Sequence, residues 1–395
     1  MKHNVKIYAK TVEETAKQQI VKLSESDAYK DCEIRIMPDV HAGAGCTIGT
    51  VIAIRDRIVP NTVGVDIGCG MLVTELGKAD IDLQKLDDVI HEKVPSGFNI
   101  HDEKHVNLRD SLMQMHCREV VDVDIAERSI GTLGGGNHFI EVAVDDESNK
   151  YLVIHSGSRN LGVRVCKYYQ NIAINYCKGN TLNEKQLIEQ LKSEGRQREI
   201  QTVLQEEKRR RVKVDNELAY LEGDDLKNYL FDMGVCQRYA DLNRVQMSYS
   251  ICTALNLDVH FQWSTIHNYI DIQHNILRKG AVSALNHEKL IIPMNMRDGS
   301  LICRGKGNID WLYSAPHGAG RLMSRKKAIE TLSMADFQES MNGIYSTSIC
   351  KETIDEAPMV YKQASEIMEC IKDTVVIENV IRPIYNFKAK ELVTE

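Results

Sequence analysis

Between residues 37 and 71 the chain reads MPDVHAGAGCTIGTVIAIRDRIVPNTVGVDIGCGM, and this stretch leaves few folds open. It is rich in glycine and β-branched residues, a pattern that predicts short strands joined by tight loops. Into that frame it places Asp39, His41, Asp66 and Cys69. Carboxylate, imidazole and thiol groups among small residues are what a metal site requires. The glycines let backbone approach a ligand closely. Asp66 and Cys69 stand three apart in a glycine-rich turn, so both side chains can converge on one ion.

Four further motifs carry chemistry. LGGGNHFIEV, residues 133 to 142, sets three glycines before Asn137, His138 and Glu141. Such a turn can present backbone N–H groups to a phosphate. His138 is a potential ligand there, and Glu141 an acceptor for a base or ribose. In YLVIHSGSRNLG an apolar strand ends at His155 and a helix follows, a common place for a ligand and an anion. WSTIHNYID supplies His267 and Asn268. SAPHGAGRLMSRKKA, residues 314 to 328, sets His317 before Gly-Ala-Gly and a helix expected to carry Arg321, Arg325, Lys326 and Lys327. That arrangement suits a phosphate site, and its histidine can be a nucleophile towards phosphorus. Each motif alone also has a plain structural explanation, such as a hydrogen-bonded core histidine or a capped surface helix. Together they offer Asp66, Cys69, His138, His155 and His267 as metal ligands, with His317 set apart beside phosphate-binding features. Neither the Gly-rich dinucleotide fingerprint nor the P-loop pattern occurs.

Composition narrows the setting. The 395 residues are 43% hydrophobic, enough for a sizeable core. No apolar run is long enough to span a membrane, and the polar N-terminus shows no secretory signal, so we read the protein as cytoplasmic. Eleven cysteines with no CxxC pair suit a reducing compartment. A formal charge of −7 is not that of a protein that coats nucleic acid indiscriminately, so a nucleic-acid substrate would have to meet a local basic patch. Residues 158 to 255 read as mostly helical. The charged run from Leu182 to Val212 reads as one helix, with EEKRRRVK at 206 to 213 either an RNA-facing patch or a solvated face. LEGDDLKNY, residues 221 to 229, breaks it before a second helix to about Leu255. The expected fold is α+β: one domain over residues 1 to 395, layered β-sheets with surrounding helices, and a helical hairpin insertion at about 180–255.

PDVHAGAG, VGVDIGCGM, GGGNHFIE, HSGSR, HNY followed by RKGA, and HGAGR with a later SR, in this order, resemble the RtcB family of RNA-splicing ligases. The resemblance runs from about residue 33 to the C-terminus. It implies a GTP- and Mn²⁺-dependent ligase that joins RNA 3′-phosphate or 2′,3′-cyclic phosphate ends to 5′-hydroxyl ends. A histidine is guanylylated, GMP passes to the RNA 3′-phosphate, and the 5′-hydroxyl displaces it. Carried over by motif, Asp66, Cys69 and His138 would hold one Mn²⁺, and Cys69, His155 and His267 the second. His317 would be the guanylylated nucleophile, with Asp39 and Arg321 near the reacting phosphates. Asn137, His138, Phe139, Ile140, Glu141, His267, Asn268, Pro293, Met294, Asn295, Met296, Ser300, His317, Gly318, Ala319, Gly320 and Lys388 would surround the guanylate. The chain is read as a monomer, with a helper protein for turnover left open.

The chain also departs from the family pattern. Where the family usually reads PGSMG, it has PMNMRDGS, residues 293 to 300, with Arg297 and Asp298 adding charge. It also extends beyond the usual C-terminal lysine motif. Both tRNA splicing and RNA repair fit. Two competing readings are a 3′-end guanylyltransferase or phosphoesterase that does not seal, and a non-catalytic RNA- or ribosome-associated factor.

Overall fold

The computed structural model describes residues 4–178, 183–204 and 214–389. Two sheets dominate. The smaller runs in the order β1 (Val5–Ile7), β2 (Glu33–His41), β3 (Ile48–Ala53), β9 (Ile276–Lys279), β8 (Asn268–Asp271). The larger has seven strands, ordered β11 (Lys289–Asn295), β12 (Gly299–Gly305), β14 (Val375–Lys388), β5 (Phe139–Val144), β6 (Lys150–Ser156), β4 (Gly70–Gly77), β7 (Phe261–Ile266). A two-stranded ribbon pairs β10 (Ala281–Ser283) with β13 (Ser314–Pro316). Apart from β1 with β2, the pairs are antiparallel. The strand-like stretches read from the sequence are therefore strands, and the fold is the expected α+β class.

Register decides where the chemistry falls. In the larger sheet Gly70 pairs with Ser156 and Ile266, Phe139 with His155, and Lys388 with Phe139. The starts of β4 and β5 and the ends of β6, β7 and β14 therefore meet at one edge. His267 follows β7 directly and leads into β8, so it links that edge to the smaller sheet. Alternation along β5 then sorts its side chains. Ile140 and Val142 enter the core with Leu72, Leu152 and Ile154, while Phe139 and Glu141 face the other way.

The helices buttress this edge. The helix Gly223–Leu255 buries Tyr229, Met233, Cys236, Tyr239, Asn243, Met247 and Ile251 at spacings of three to four, the inward stripe of a packed helix. Its Asn243 side chain accepts from the N–H groups of Gly131 and Thr132 and donates to Thr132, Ser156 and Gly157. Its fully buried Arg244 donates to the carbonyls of Gly68 and Ser156, both at 2.9 Å. These two side chains clamp the loops on either side of Cys69 and His155.

Two boundaries differ from the sequence reading. The charged run after residue 182 is interrupted: one helix ends at Ser193, and Gly195 (φ 74°) turns the chain so that the Arg196 N–H bonds the Leu191 carbonyl. That is the left-handed cap glycine supplies at a helix C-terminus. The later helix begins at Gly223, inside the expected break, with Asp224 and Asp225 in its first turn where carboxylates complement the helix dipole. The segment EEKRRRVK and the C-terminal extension after Ala389 lie outside the described residues.

Candidate functional site

The strand edge opens on a cavity of about 700 Å³. Two groups of donors meet at its floor. Asp66, Cys69 and His138 form one; Cys69, His155 and His267 form the other. In each group the ligand atoms lie within 4.8 Å of one another, and Cys69 belongs to both. The Cys69 Sγ is 3.4 Å from His138 Nε2 and 3.3 Å from His155 Nε2, and His155 Nε2 is 3.4 Å from His267 Nε2. Ligands around one tetrahedral ion stand about 3.4–3.7 Å apart. The donor set therefore fits a divalent cation as the chain folds, with thiol, imidazole and carboxylate chemistry suited to a borderline metal.

The outer shell orients these rings. The Nδ1 of His138 faces the Leu133 carbonyl at 2.9 Å, and that of His155 the Asn137 carbonyl at 3.2 Å. With Nδ1 donating to a carbonyl, each Nε2 keeps its lone pair for a cation. Burial, then neighbouring histidines, hold His155 and His267 well below the ordinary imidazole range, so both rings are neutral. For Asp66, burial is outweighed by the hydrogen bond and charge of His138, so the carboxylate stays ionised well below its usual range. Burial and the Asp66 charge push the Cys69 thiol well up; a bound cation reverses that preference. Gly157 makes room for Asp66: a Cβ there would lie 2.1 Å from Asp66 Oδ1, which instead accepts from the Ser158 N–H at 3.0 Å.

His317 stands beside this floor, its ring centroid 4.7 Å from that of His267. Asp39 is fully buried and holds it: Asp39 Oδ2 lies 2.7 Å from His317 Nδ1 and accepts from the His317 and Gly318 N–H groups. A carboxylate on Nδ1 selects the tautomer with its lone pair on Nε2. The expected helix at His317 does not form. Residues 317–324 are a loop, and the helix starts at Arg325, capped by Ser324. Packing decides this: a Cβ on Gly320 (φ 77°) would lie 2.3 Å from the Asp39 carbonyl oxygen, so the loop lies flat against β2. Arg321 is consequently not on a helical turn. Its guanidinium bonds Glu356 at 3.1 Å and the Asp355 carbonyl at 2.7 Å.

The other expected residues distribute as follows. Asn137, Phe139, Glu141, Asn268, Pro293, Met294, Asn295, Met296, Ser300, Gly318, Ala319, Gly320, Arg321 and Lys388 line the same cavity as Asp66, Cys69, His155, His267 and His317. Ile140 does not; its side chain is in the core. His138 and Asp39 lie just behind the wall, through the contacts given above. In PMNMRDGS the added charges neutralise each other. Arg297 bonds Asp298 at 2.7 Å, and the Asn295 carboxamide ties the turn by accepting from the Arg297 and Asp298 N–H groups. Neither Arg297 nor Asp298 faces the cavity.

Sequence reasoning missed a second polar wall. Glu356, Tyr361 and Asn386 also line the cavity. No motif flags them, because they lie outside the glycine-rich stretches and only the fold brings them in. Lys388 Nζ is 2.9 Å from Glu356 Oε2 and donates to the Asn137 carbonyl at 3.2 Å. Burial would raise the Glu356 carboxyl, but Lys388, Arg325 and Arg321 outweigh it and bring it to about 2. A depressed carboxyl adds stability that is complete above its unfolded pKa of 4.5 and is lost as pH falls towards 2. Lys388→Met is therefore expected to lower unfolding free energy by roughly 3 kcal/mol at pH 6, because it breaks one arm of a buried pair. The gap between variant and wild type should close as pH falls to about 2. Urea unfolding across that range checks it; a gap that does not narrow would refute the assignment.

Fold and site together define a class: an α+β protein whose cavity joins a shared-thiol group of metal-capable donors to a carboxylate-oriented histidine. A family model described as "tRNA-splicing ligase RtcB" matches residues 19–128 and 100–389. The RNA-splicing ligase RtcB1 of Escherichia coli ATCC 25922 is 33% identical, covering 96% of this chain and 96% of its own. The RNA-splicing ligase RtcB of Escherichia coli K12 is 32% identical over the same shares. The tRNA-splicing ligase RtcB of Aeropyrum pernix is 26% identical, covering 85% of this chain and 83% of its own. The chain belongs to the RtcB family, a family of ligases. Among the described residues no helix is long and apolar enough to cross a membrane.

Proposed function

We propose that this chain is a GTP- and Mn²⁺-dependent RNA ligase, acting on 3′-phosphate or 2′,3′-cyclic phosphate ends and 5′-hydroxyl ends in tRNA splicing or RNA repair. The observation that carries the reading is the pair of buried Asp39 and half-buried His317, with His317 opening into the same cavity as the Cys69 cluster. Residues 1 to 395 are taken as one catalytic unit.

Asp66, Cys69 and His138 would hold one cation, and Cys69, His155 and His267 the other. Bound there, the metal supplies Lewis-acid charge for phosphoryl oxygens. The protein's own residues do the rest. Asp39 keeps the proton on His317 Nδ1, so Nε2 attacks the α-phosphorus of GTP and pyrophosphate leaves. A phosphate oxygen of the RNA 3′ end then takes GMP from Nε2 and frees the histidine. Last, the 5′-hydroxyl oxygen attacks the activated RNA phosphorus, the phosphodiester forms, and GMP departs. Activation matters because GMP is a far better leaving group than water. Arg321 and Arg325 add positive charge to the wall. Asn137, Phe139, Glu141, Ser300, Lys388 and the loop Pro293–Met296 would enclose the guanylate.

The test is incubation with α-labelled GTP and Mn²⁺, followed by addition of RNAs with 3′-phosphate and 5′-hydroxyl ends. An acid-labile, alkali-stable label on the protein, followed by joined RNA, is the expected result. A capped 3′ end without joining would replace this reading with a guanylyltransferase. RNA affinity falling steeply with salt, with no turnover, would replace it with a binding factor.

A further inference from the structure

Among the residues that line the cavity, three carry a buried polar atom without a hydrogen-bond partner beside the guanylate wall read above: Glu141 Oε1, Asn386 Oδ1 and Ser300 Oγ. Their residues are 2%, 1% and 1% exposed. Leaving such groups unpaired is costly, so a set of them on one cavity wall points to a ligand. Register explains the first two. Asn386 on β14 pairs directly with Glu141 on β5, and their side chains meet above the sheet. The Asn386 Nδ2 donates to Glu141 Oε2 at 2.9 Å. That bond uses the carboxamide's donor end and leaves its carbonyl oxygen, with the second carboxylate oxygen, without a partner on residues that line the cavity. Lys388 lies two residues further along β14, its ammonium 5.3 Å from the centre of the Phe139 ring and near the same wall.

We propose that Asn386 is a specificity-determining residue: with Glu141 it presents a pair of acceptors to the N1–H and N2-amino edge of a guanine base. This rests on the nucleotide reading of the cavity given above. The chemistry discriminates among purines. Guanine offers two adjacent N–H donors on that edge, with a neighbouring O6 acceptor for the Lys388 ammonium or the Ser300 hydroxyl. Adenine offers one amino donor and an acceptor nitrogen, which would face an acceptor and leave a buried oxygen unpaired. Hypoxanthine keeps N1–H and O6 but lacks the amino group, so it loses one contact only. One of the base's donors also restores to the carboxylate a hydrogen bond that burial removed, which favours its acceptor form.

The measurement is calorimetric binding of GTP, ITP and ATP to the Mn²⁺-loaded full chain and to Asn386→Ala, with thermal melts and metal content as controls. Wild type is expected to prefer GTP over ITP about tenfold, the worth of one buried hydrogen bond, and to bind ATP weakest. Asn386→Ala is expected to bring GTP to the ITP level while ITP changes by less than about threefold. Equal weakening of all three nucleotides in a folded variant would overturn the proposal and make Asn386 a structural residue. If the variant fails to fold, wild type still decides: equal affinity for GTP and ITP overturns the proposal. No binding of any nucleotide would overturn the cavity's nucleotide reading and this inference with it.

Discussion

His317→Ala is expected to abolish covalent labelling by GTP, to below about a thousandth of wild type, because it removes the carboxylate-oriented imidazole of the cavity. Metal content should stay near normal, since His317 belongs to neither donor group. The informative control is His41→Ala. His41 lines the same cavity, and burial keeps it neutral. Its Nδ1 faces only the Asp39 backbone carbonyl at 3.0 Å, so it lacks the carboxylate that orients His317. Labelling that survives in His317→Ala and disappears in His41→Ala would transfer the nucleophile assignment. Asp39→Asn is the milder companion. It removes the charge that stabilises a cationic ring and disturbs the tautomer, and should slow labelling by roughly 100- to 10,000-fold without removing the metal. Unchanged labelling would remove Asp39 from the chemistry.

The second large effect is expected from Cys69→Ala. The thiol is the one atom common to both donor groups. Without it each group is reduced to two ligands, Asp66 with His138 and His155 with His267. Neither pair makes a closed site for a divalent cation. Elemental analysis after dialysis should fall from two cations per chain to almost none, and RNA joining with it. His138→Ala should be less severe, because the second group keeps all three of its ligands. Full metal content in Cys69→Ala would contradict a shared thiolate. Folding itself should survive: Cys69 sits at the strand edge and belongs to none of the apolar clusters of the interior.

Much of this site was readable from residue types and local spacing. Asp66 and Cys69 share one turn, and His138, His155 and His267 each sit at a strand boundary marked by glycine or by an apolar run. Local chemistry of that kind needs no long-range information, since strands and turns are short-range features. The helix expected at His317 failed for the complementary reason. Gly-Ala-Gly followed by basic residues resembles a helix start, but Asp39, some 280 residues earlier, holds the loop flat by accepting from two of its N–H groups. The charged run after Leu182 likewise read as one helix until Gly195 capped it.

By itself the sequence determined which groups are present and that short strands and tight loops carry most of them: the metal-capable donors, and a histidine set apart from them. Only the tertiary structure decided which of them meet. Glu356, Asn386, Asn243 and Arg244 belong to no motif, yet they set the charge of the wall, the unpaired acceptors on it, and the backbone beside Cys69. The partners that matter here, from Lys388 for Glu356 to Glu141 for Asn386, are 32 to 245 residues away along the chain. A hydrogen bond across that distance leaves no periodicity in sequence. It exists because antiparallel register brings β14 against β5 and because a helix packs on the sheet behind them.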